Sequence, residues 1–348
     1  MAHKVISKAA FAALLDALIA QETVVGVKRR GTCFAFDRLS RADELRLDYD
    51  VTVLPPKVYL QPPREDLLRF ETGPVPSVEP ILDETPLVIV GVHPYDMVAI
   101  NQMDAVFAAD NPDPHYLRRR ANTTIICSNI QRAGPRSFAD QLGTTRVEKG
   151  FDLFLTDIGD SYAATVGSEK GAALLARAHD VADADEEALR KRDAALAAAD
   201  ALYGENRLTC PADRLPDLLA PEEALENPVW EEKSRTCFSC GSCNLVCPTC
   251  YCFDVQDDVR LDLKGGVRYR AWDGCLLSDF ALVASGENFR HARAQRFQHR
   301  IYRKFRYLRD RFGVLFCVGC GRCATACLPD VANPVAVLNA LHAAEDQP

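Results

Sequence analysis

The 348-residue sequence predicts an α+β protein: a mixed α/β domain first, then a mainly helical, cysteine-rich domain. Three observations carry that expectation. Residues 7–20 place Phe11, Leu14, Leu15, Leu18 and Ile19 on one face of a helix. The segment PLVIVGVHPYDMVAIN reads as a buried strand, a turn at His93-Pro94 and a second helix. After residue 230 the cysteines crowd together, with 14 in the whole chain.

Taken in order, Ser7 is the expected N-cap of the first helix. β-like runs follow at Glu22 to Val27 and Thr32 to Phe36 around a turn at Arg30-Gly31, then at Val51 to Leu54 and Lys57 to Leu60 around Pro55-Pro56. Asp96 stands where its carboxylate would help start the second helix. Further strands are expected over Asn122 to Cys127 and Phe151 to Asp157, which closes the mixed domain over residues 1–165. Residues 166–225 read as a helical connector rich in Ala, Asp, Glu and Arg, and the domain boundary is expected near 225. The cysteine-rich domain then occupies 226–348.

Composition narrows the function. Against 49 acidic side chains stand 41 basic ones, a net charge of −8 that gives no support for general nucleic-acid binding. The longest apolar runs, such as Leu87 to Val92, are strand-sized, well under the roughly 20 residues of a membrane helix. The apolar N-terminal stretch is broken by Asp16 and is periodic, so it does not read as a signal peptide. A cytoplasmic protein is expected, and in a reducing compartment clustered thiols mean metal or redox chemistry.

The chemistry sits in two matching runs. Cys237-x2-Cys240-x2-Cys243-x3-Cys247-Pro248 has the spacing that binds 4Fe-4S clusters in bacterial ferredoxins, and it recurs at Cys317, Cys320, Cys323 and Cys327, with Leu328 before Pro329. Three thiolates at successive threes wrap one corner of a cubane, while the fourth, beyond the local turn, reaches the other cluster. On that rule Cys237, Cys240, Cys243 and Cys327 hold one cluster, and Cys317, Cys320, Cys323 and Cys247 the second. Structural zinc is the rival reading, but zinc ribbons use two separated C-x2-C knuckles. Gly241, Gly319 and Gly321 suit backbone that passes close to a cluster. The expected fold of this part is therefore a ferredoxin-like dicluster domain with a helical insertion over 253–316.

The end of that insertion carries nine Arg or Lys residues and one Asp between Asn288 and Arg311. Phe289, Phe297, Ile301, Phe305, Leu308 and Phe312 give it an apolar stripe. The basic side chains read as a solvated face, as compensation for cluster charge or as a docking surface, with nucleic acid the weakest option. Cys250, Cys252 and Cys275 lie near the motifs without a fourth partner in sequence, although His291 and His299 lie downstream. Cys33, Cys127 and Cys210 read as buried thiols. His93 and Asp96 occupy a strand-to-helix turn that suits either a small-molecule site or a structural role. Gly319 to Ala324 formally matches GxGxxA but lies inside a cluster motif, so no nicotinamide or flavin site is expected on this chain.

The runs CFSCGSCNLVCPTCYCFDV, RAWDGCLLSDFALVASGENFR and FCVGCGRCATAC resemble the beta subunits of cytosolic, NAD(P)-linked nickel-iron hydrogenases, the sulfhydrogenases, and their iron-sulfur relative in anaerobic sulfite reductase. PLVIVGVHPYDMVAIN, HYLRRRANTTII and GFDLFLTDIGD extend the resemblance into the N-terminal half. It implies an electron-transfer chain with two 4Fe-4S clusters, ligated by the eight motif cysteines. Such a chain passes electrons between the nickel-iron hydrogenase subunits, or a sirohaem sulfite reductase subunit, on one side and a flavin/NAD(P)-binding subunit on the other. The chain departs from the family pattern at Tyr95, where Cys is frequent, and at Ser137-Phe138-Ala139, near a Cys-Phe-Cys. A self-sufficient reductase of sulfur or a small molecule, using Cys250, Cys252 or His93, is the alternative of another class.

Overall fold

A computed structural model describes residues 1–345. The first strand, β1 (His3–Ser7), is followed by helix α1 (Lys8–Ile19), which Ser7 caps by accepting from the Ala10 amide. Then come β2 (Thr23–Arg30), β3 (Cys33–Arg38), β4 (Arg64–Glu71), β5 (Ser77–Pro80), β6 (Leu87–Val92), α2 (Pro94–Ala108), α3 (Pro114–Ala121), β7 (Thr123–Ser128), β8 (Leu153–Asp157), β9 (Ser161–Val166), α4 (Glu169–Leu175), β10 (Val181–Asp183) and α5 (Glu186–Ala198). The cysteine-rich part adds β11 (Phe253–Val259), β12 (Gly265–Trp272) and a series of helices.

Eight strands form one sheet in the order β10-β1-β9-β8-β7-β6-β2-β3. Its centre, β2, β6, β7 and β8, is parallel, and antiparallel strands flank it on both sides. Strands buried on both faces must be apolar at successive positions, and LVIVGV meets that demand. Val24, Val88 and Ile126 face α1 and α4, while Val25, Ile89 and Ile125 face α2 and α3, so the sheet has a separate core on each side.

The structure differs from the sequence expectation in definite places. Val51 to Leu54 forms no strand, only a single bridge from Thr52 to Phe34, and 56–59 is a short 3-10 helix. Pro55 and Pro56 fix φ and remove two ladder donors, which favours a turn there. The connector is helical in α4 and α5, yet β10 lies between them as an edge strand on β1. β1, β9 and β10 are short and mostly only partly buried, and β10 is exposed at two of its three positions.

The larger difference lies in 253–316. The helical expectation there holds for Arg293–Phe312, where an α-helix continues through a π turn at Arg303–Tyr307. Its beginning is a β-hairpin, β11 and β12, whose strands read FDVQDDV and GGVRYRAW. That hairpin completes a second sheet, β11-β12-β4-β5, with two strands from before residue 81 and two from after residue 252. Charged residues along β11 and β12 hide the period of two, because the sheet leaves β11 exposed throughout. A buried ion network fastens this sheet to α3: Glu65 on β4 accepts from Arg119 at 2.5 Å and from Arg270 of β12 at 2.7 Å, and Arg270 also pairs with Asp113.

A third core gathers Leu215, Leu218, Trp230, Phe297, Ile301, Phe305 and Leu338 around the basic helix. Phe297, Ile301, Phe305 and Leu308 supply the expected stripe, while Phe289 lies outside the helix and is exposed. Cys127 and Cys210 are buried as expected; Cys33 is exposed at the start of edge strand β3, where its side chain faces no covering helix.

Candidate metal centre

The two four-cysteine runs fold alike. In each, a left-handed glycine opens one turn of helix: Gly241 (φ 72°) before Ser242–Leu245, and Gly321 (φ 77°) before Arg322–Thr325. Two residues earlier the backbone is left-handed again, at Ser239 (φ 54°) and Gly319 (φ 65°). The tight double turn brings successive cysteines to one side and points amides inward, and the Ser239 amide donates to Cys237 Sγ at 3.4 Å. At Gly319 a side chain is forbidden twice over, because a Cβ would stand 2.7 Å from the Ala139 backbone. We expect Gly319→Ala to cost about 1–3 kcal/mol, read as a lowered unfolding midpoint of the holoprotein under anaerobic conditions.

Cys247, Cys317, Cys320 and Cys323 line one cavity. The first motif's last thiol thus lines the same cavity as the first three of the second. Cys237 and Cys243 are half-buried against the third core, Cys240 is exposed with its Sγ 3.3 Å from Ser242 Oγ, and Cys327 is half-buried at the turn to Asp330. For this outer set the spacing in sequence, rather than a shared cavity, groups the four.

The inner cavity is strongly cationic. Arg300 and Lys304, one helical turn apart on the basic helix, border it and are 3% and 6% exposed. The Lys304 ammonium donates to the Thr249 carbonyl at 2.9 Å and to Thr249 Oγ1 at 2.7 Å. The π turn lets the Lys304 carbonyl accept from the Phe316 amide at 2.8 Å, next to Cys317. Burial pushes the Cys320 and Cys243 thiols up to about 12. A hydrogen bond from Cys250, aided by Lys304 and Arg300, holds Cys247 well below the ordinary thiol value. Burial works against the Lys304 charge, but Cys247 and Cys250 outweigh it and hold its pKa up.

Four thiols around one cavity, with buried cations to balance their ionised forms, fit a thiolate-ligated, anionic iron-sulfur cluster. Among the described residues no three His, Cys, Asp or Glu side chains close on a point that would hold a single ion. Neutralising Lys304 in Lys304→Met should lower the midpoint potential of the adjacent cluster, by roughly 59 mV for each 1.4 kcal/mol of attraction to the reduced form lost. Redox titration followed by electron paramagnetic resonance measures it.

Other functional-looking residues have different work. Asp96 does not cap α2; both its carboxylate oxygens accept from the Arg322 guanidinium at 2.6 Å, and Arg322 also donates to the Thr52 carbonyl at 2.8 Å. Arg322 lies between Cys320 and Cys323, so this pair locks α2 to the second motif. Burial pushes the Asp96 carboxyl up and Arg322 pulls it back. His93 is fully buried, stacked 3.9 Å from Tyr49, with Nδ1 2.8 Å from the Tyr95 hydroxyl. Burial and then Arg322 hold its pKa well below 6.5, which keeps the ring neutral. Ser137 Oγ donates to the Gly319 carbonyl at 2.8 Å, and the Phe138 amide donates to the same oxygen. Sequence reasoning missed Arg322, Lys57, which donates to the Cys250 carbonyl, and Asn244, whose Nδ2 lies 3.5 Å from Cys275 Sγ, because each depends on a partner remote in the chain.

Paired motifs, crossed thiols and buried cations define an iron-sulfur protein of the two-cluster class. The family described as a 4Fe-4S dicluster domain matches residues 236–331. Sulfhydrogenase 2 subunit beta of Pyrococcus furiosus is 34% identical over 310 residues, covering 87% of this chain and 88% of its own. The chain belongs to the family of sulfhydrogenase beta subunits and carries two 4Fe-4S clusters. No solved structure matches it. Among the described residues no helix is long and apolar enough to cross a membrane.

Proposed function

We propose that this chain relays electrons, in the cytoplasm, between the catalytic subunits of a nickel-iron hydrogenase and a flavin/NAD(P)-binding subunit. Within it, Cys237, Cys240, Cys243 and Cys327 hold one cluster, and Cys317, Cys320, Cys323 and Cys247 the other. The observation that carries this reading is the shared cavity of Cys247 with Cys317, Cys320 and Cys323, in a chain related to a sulfhydrogenase beta subunit.

When bound, each cluster accepts and donates one electron at a time. The chain's own residues set the conditions. Arg300 and Lys304 offset the negative charge of the buried thiolates, which favours the reduced state. Thr249 and the Phe316 amide anchor Lys304 at its place on the cavity wall. Arg322, held by Asp96, keeps the second motif seated against α2. At the outer set, exposed Cys240 beside exposed Phe238 offers a short route for an electron to a docked partner.

Anaerobic affinity purification of the tagged chain, followed by metal and cofactor analysis of the proteins retained, tests the reading. A flavoprotein should be retained together with a nickel-iron subunit. Retention of a sirohaem protein instead would assign the same relay to sulfite reduction, and turnover by the isolated, chemically reduced chain would overturn the relay role.

A further inference from the structure

The three cysteines left over by the two motifs meet in space. Cys250, Cys252 and Cys275 line one enclosed cavity, which Asn244, Asp273 and Arg300 also border. Like the space at the inner set of four cysteines, it is small and close-packed. Cys250 and Cys252 follow Cys247 on the same stretch of chain, while Cys275 comes from the turn after β12.

A buried side chain holds this arrangement. Asn244, 2% exposed, directs Nδ2 at Cys250 Sγ (3.7 Å) and at Cys275 Sγ (3.5 Å), and its Oδ1 accepts from the Leu276 amide at 3.3 Å. Gly274 is required beside it, since a Cβ there would lie 2.8 Å from the Asn244 side chain. The Asp273 amide donates to the Cys252 carbonyl at 3.1 Å, which ties the third thiol to the same turn.

The charge around these thiols is not that of an inert apolar pocket. Arg300, Arg303 and Lys304 line the cavity, and Lys57, 3% exposed, donates to the Cys250 carbonyl. Arg300 Nε is buried without a hydrogen-bond partner. Arg300 and Lys304 also border the inner cavity, and with Lys57 they put three buried cations beside these thiols, which is unfavourable if the thiols are neutral because the cations lose hydration for too little counter-charge. They would also repel a lone divalent ion, and no single-ion geometry exists here among the described residues. An anionic, thiolate-ligated cluster satisfies both the donors and the cations.

We propose that Cys250, Cys252 and Cys275 hold a third iron-sulfur cluster of the 4Fe-4S type, with Asp273, the carboxylate on the cavity wall, as its fourth ligand. Cys250 follows Cys247 on the same turn of chain, and Thr249, Arg300 and Lys304 line both cavities, so the third site abuts the inner one. The site is additional to the two-cluster relay and independent of which partners that relay serves.

The test is iron and acid-labile sulfide per chain in the full-length protein, purified and reconstituted anaerobically. About twelve of each are expected in the parent and about eight in Cys252→Ala. Cys275→Ala should match Cys252→Ala; because Cys275 is the more buried of the two, the Cys252 variant decides if the other does not fold. Combining Cys252→Ala with Cys317→Ala should leave about four, which separates this site from the second motif. A parent with about eight iron, unchanged by Cys252→Ala, overturns the proposal, as does one zinc per chain lost from that variant.

Discussion

A Cys247→Ala chain is expected to lose about four iron and four acid-labile sulfide, and they should be the same four that a Cys317→Ala chain loses. Although Cys247 belongs to the first motif by sequence, it shares a cavity with Cys317, Cys320 and Cys323. The decisive measurement is the double variant. If both thiols serve one cluster, combining the substitutions removes no more iron than either alone; a loss of about eight would place them on different clusters. Cys327→Ala should pair in the same way with Cys237→Ala, and the spectrum of reduced clusters surviving in each pair should differ.

The second large effect is expected at Asp96. Asp96→Asn leaves the Arg322 guanidinium, 2% exposed, without the carboxylate that accepts two of its hydrogen bonds. Breaking a buried pair from one side costs about 3–5 kcal/mol, far more than an exposed pair is worth. The unfolding midpoint of the anaerobic holoprotein should fall accordingly. Because Arg322 lies between two cysteines of the inner set, the variant should also lose iron faster to a chelator. Replacing both partners, Asp96→Leu with Arg322→Met, should recover part of the stability, since no buried charge is then left alone. A single variant as stable as the parent would mean that the pair does not hold the two parts together.

Local signals in the sequence succeed where one segment decides its own structure. Ser7 caps α1, LVIVGV runs through the sheet interior, and the glycines of both motifs take the left-handed turns that the cysteine spacing demands. Spacing alone also proposes grouping Cys247 with the second motif. What sequence hides is partnership at a distance. Asp96 has the position of a helix-starting acid, but a guanidinium more than two hundred residues away claims it. Lys57 lies in a run that looks like a strand, yet it is buried against a carbonyl at Cys250. The hairpin β11–β12 is too charged to announce itself, because only pairing with β4 gives its inner edge a place. Of the basic helix, the pattern predicts a polar face; that Arg300 and Lys304 are buried depends on thiols it could not place.

The sheet shared by β4, β5, β11 and β12 also sets a timetable for maturation. Glu71 pairs with Gly265, so β4 is made long before its partner, by tens of seconds at about 5–20 residues per second. Until then the edge of β4 has no neighbour on that side, and such an edge invites pairing with another chain. Three of the four inner-set cysteines, Cys317, Cys320 and Cys323, come later still, after Phe316. Assembly at the inner set therefore follows the synthesis of β11 and β12, and with it the covering of the β4 edge.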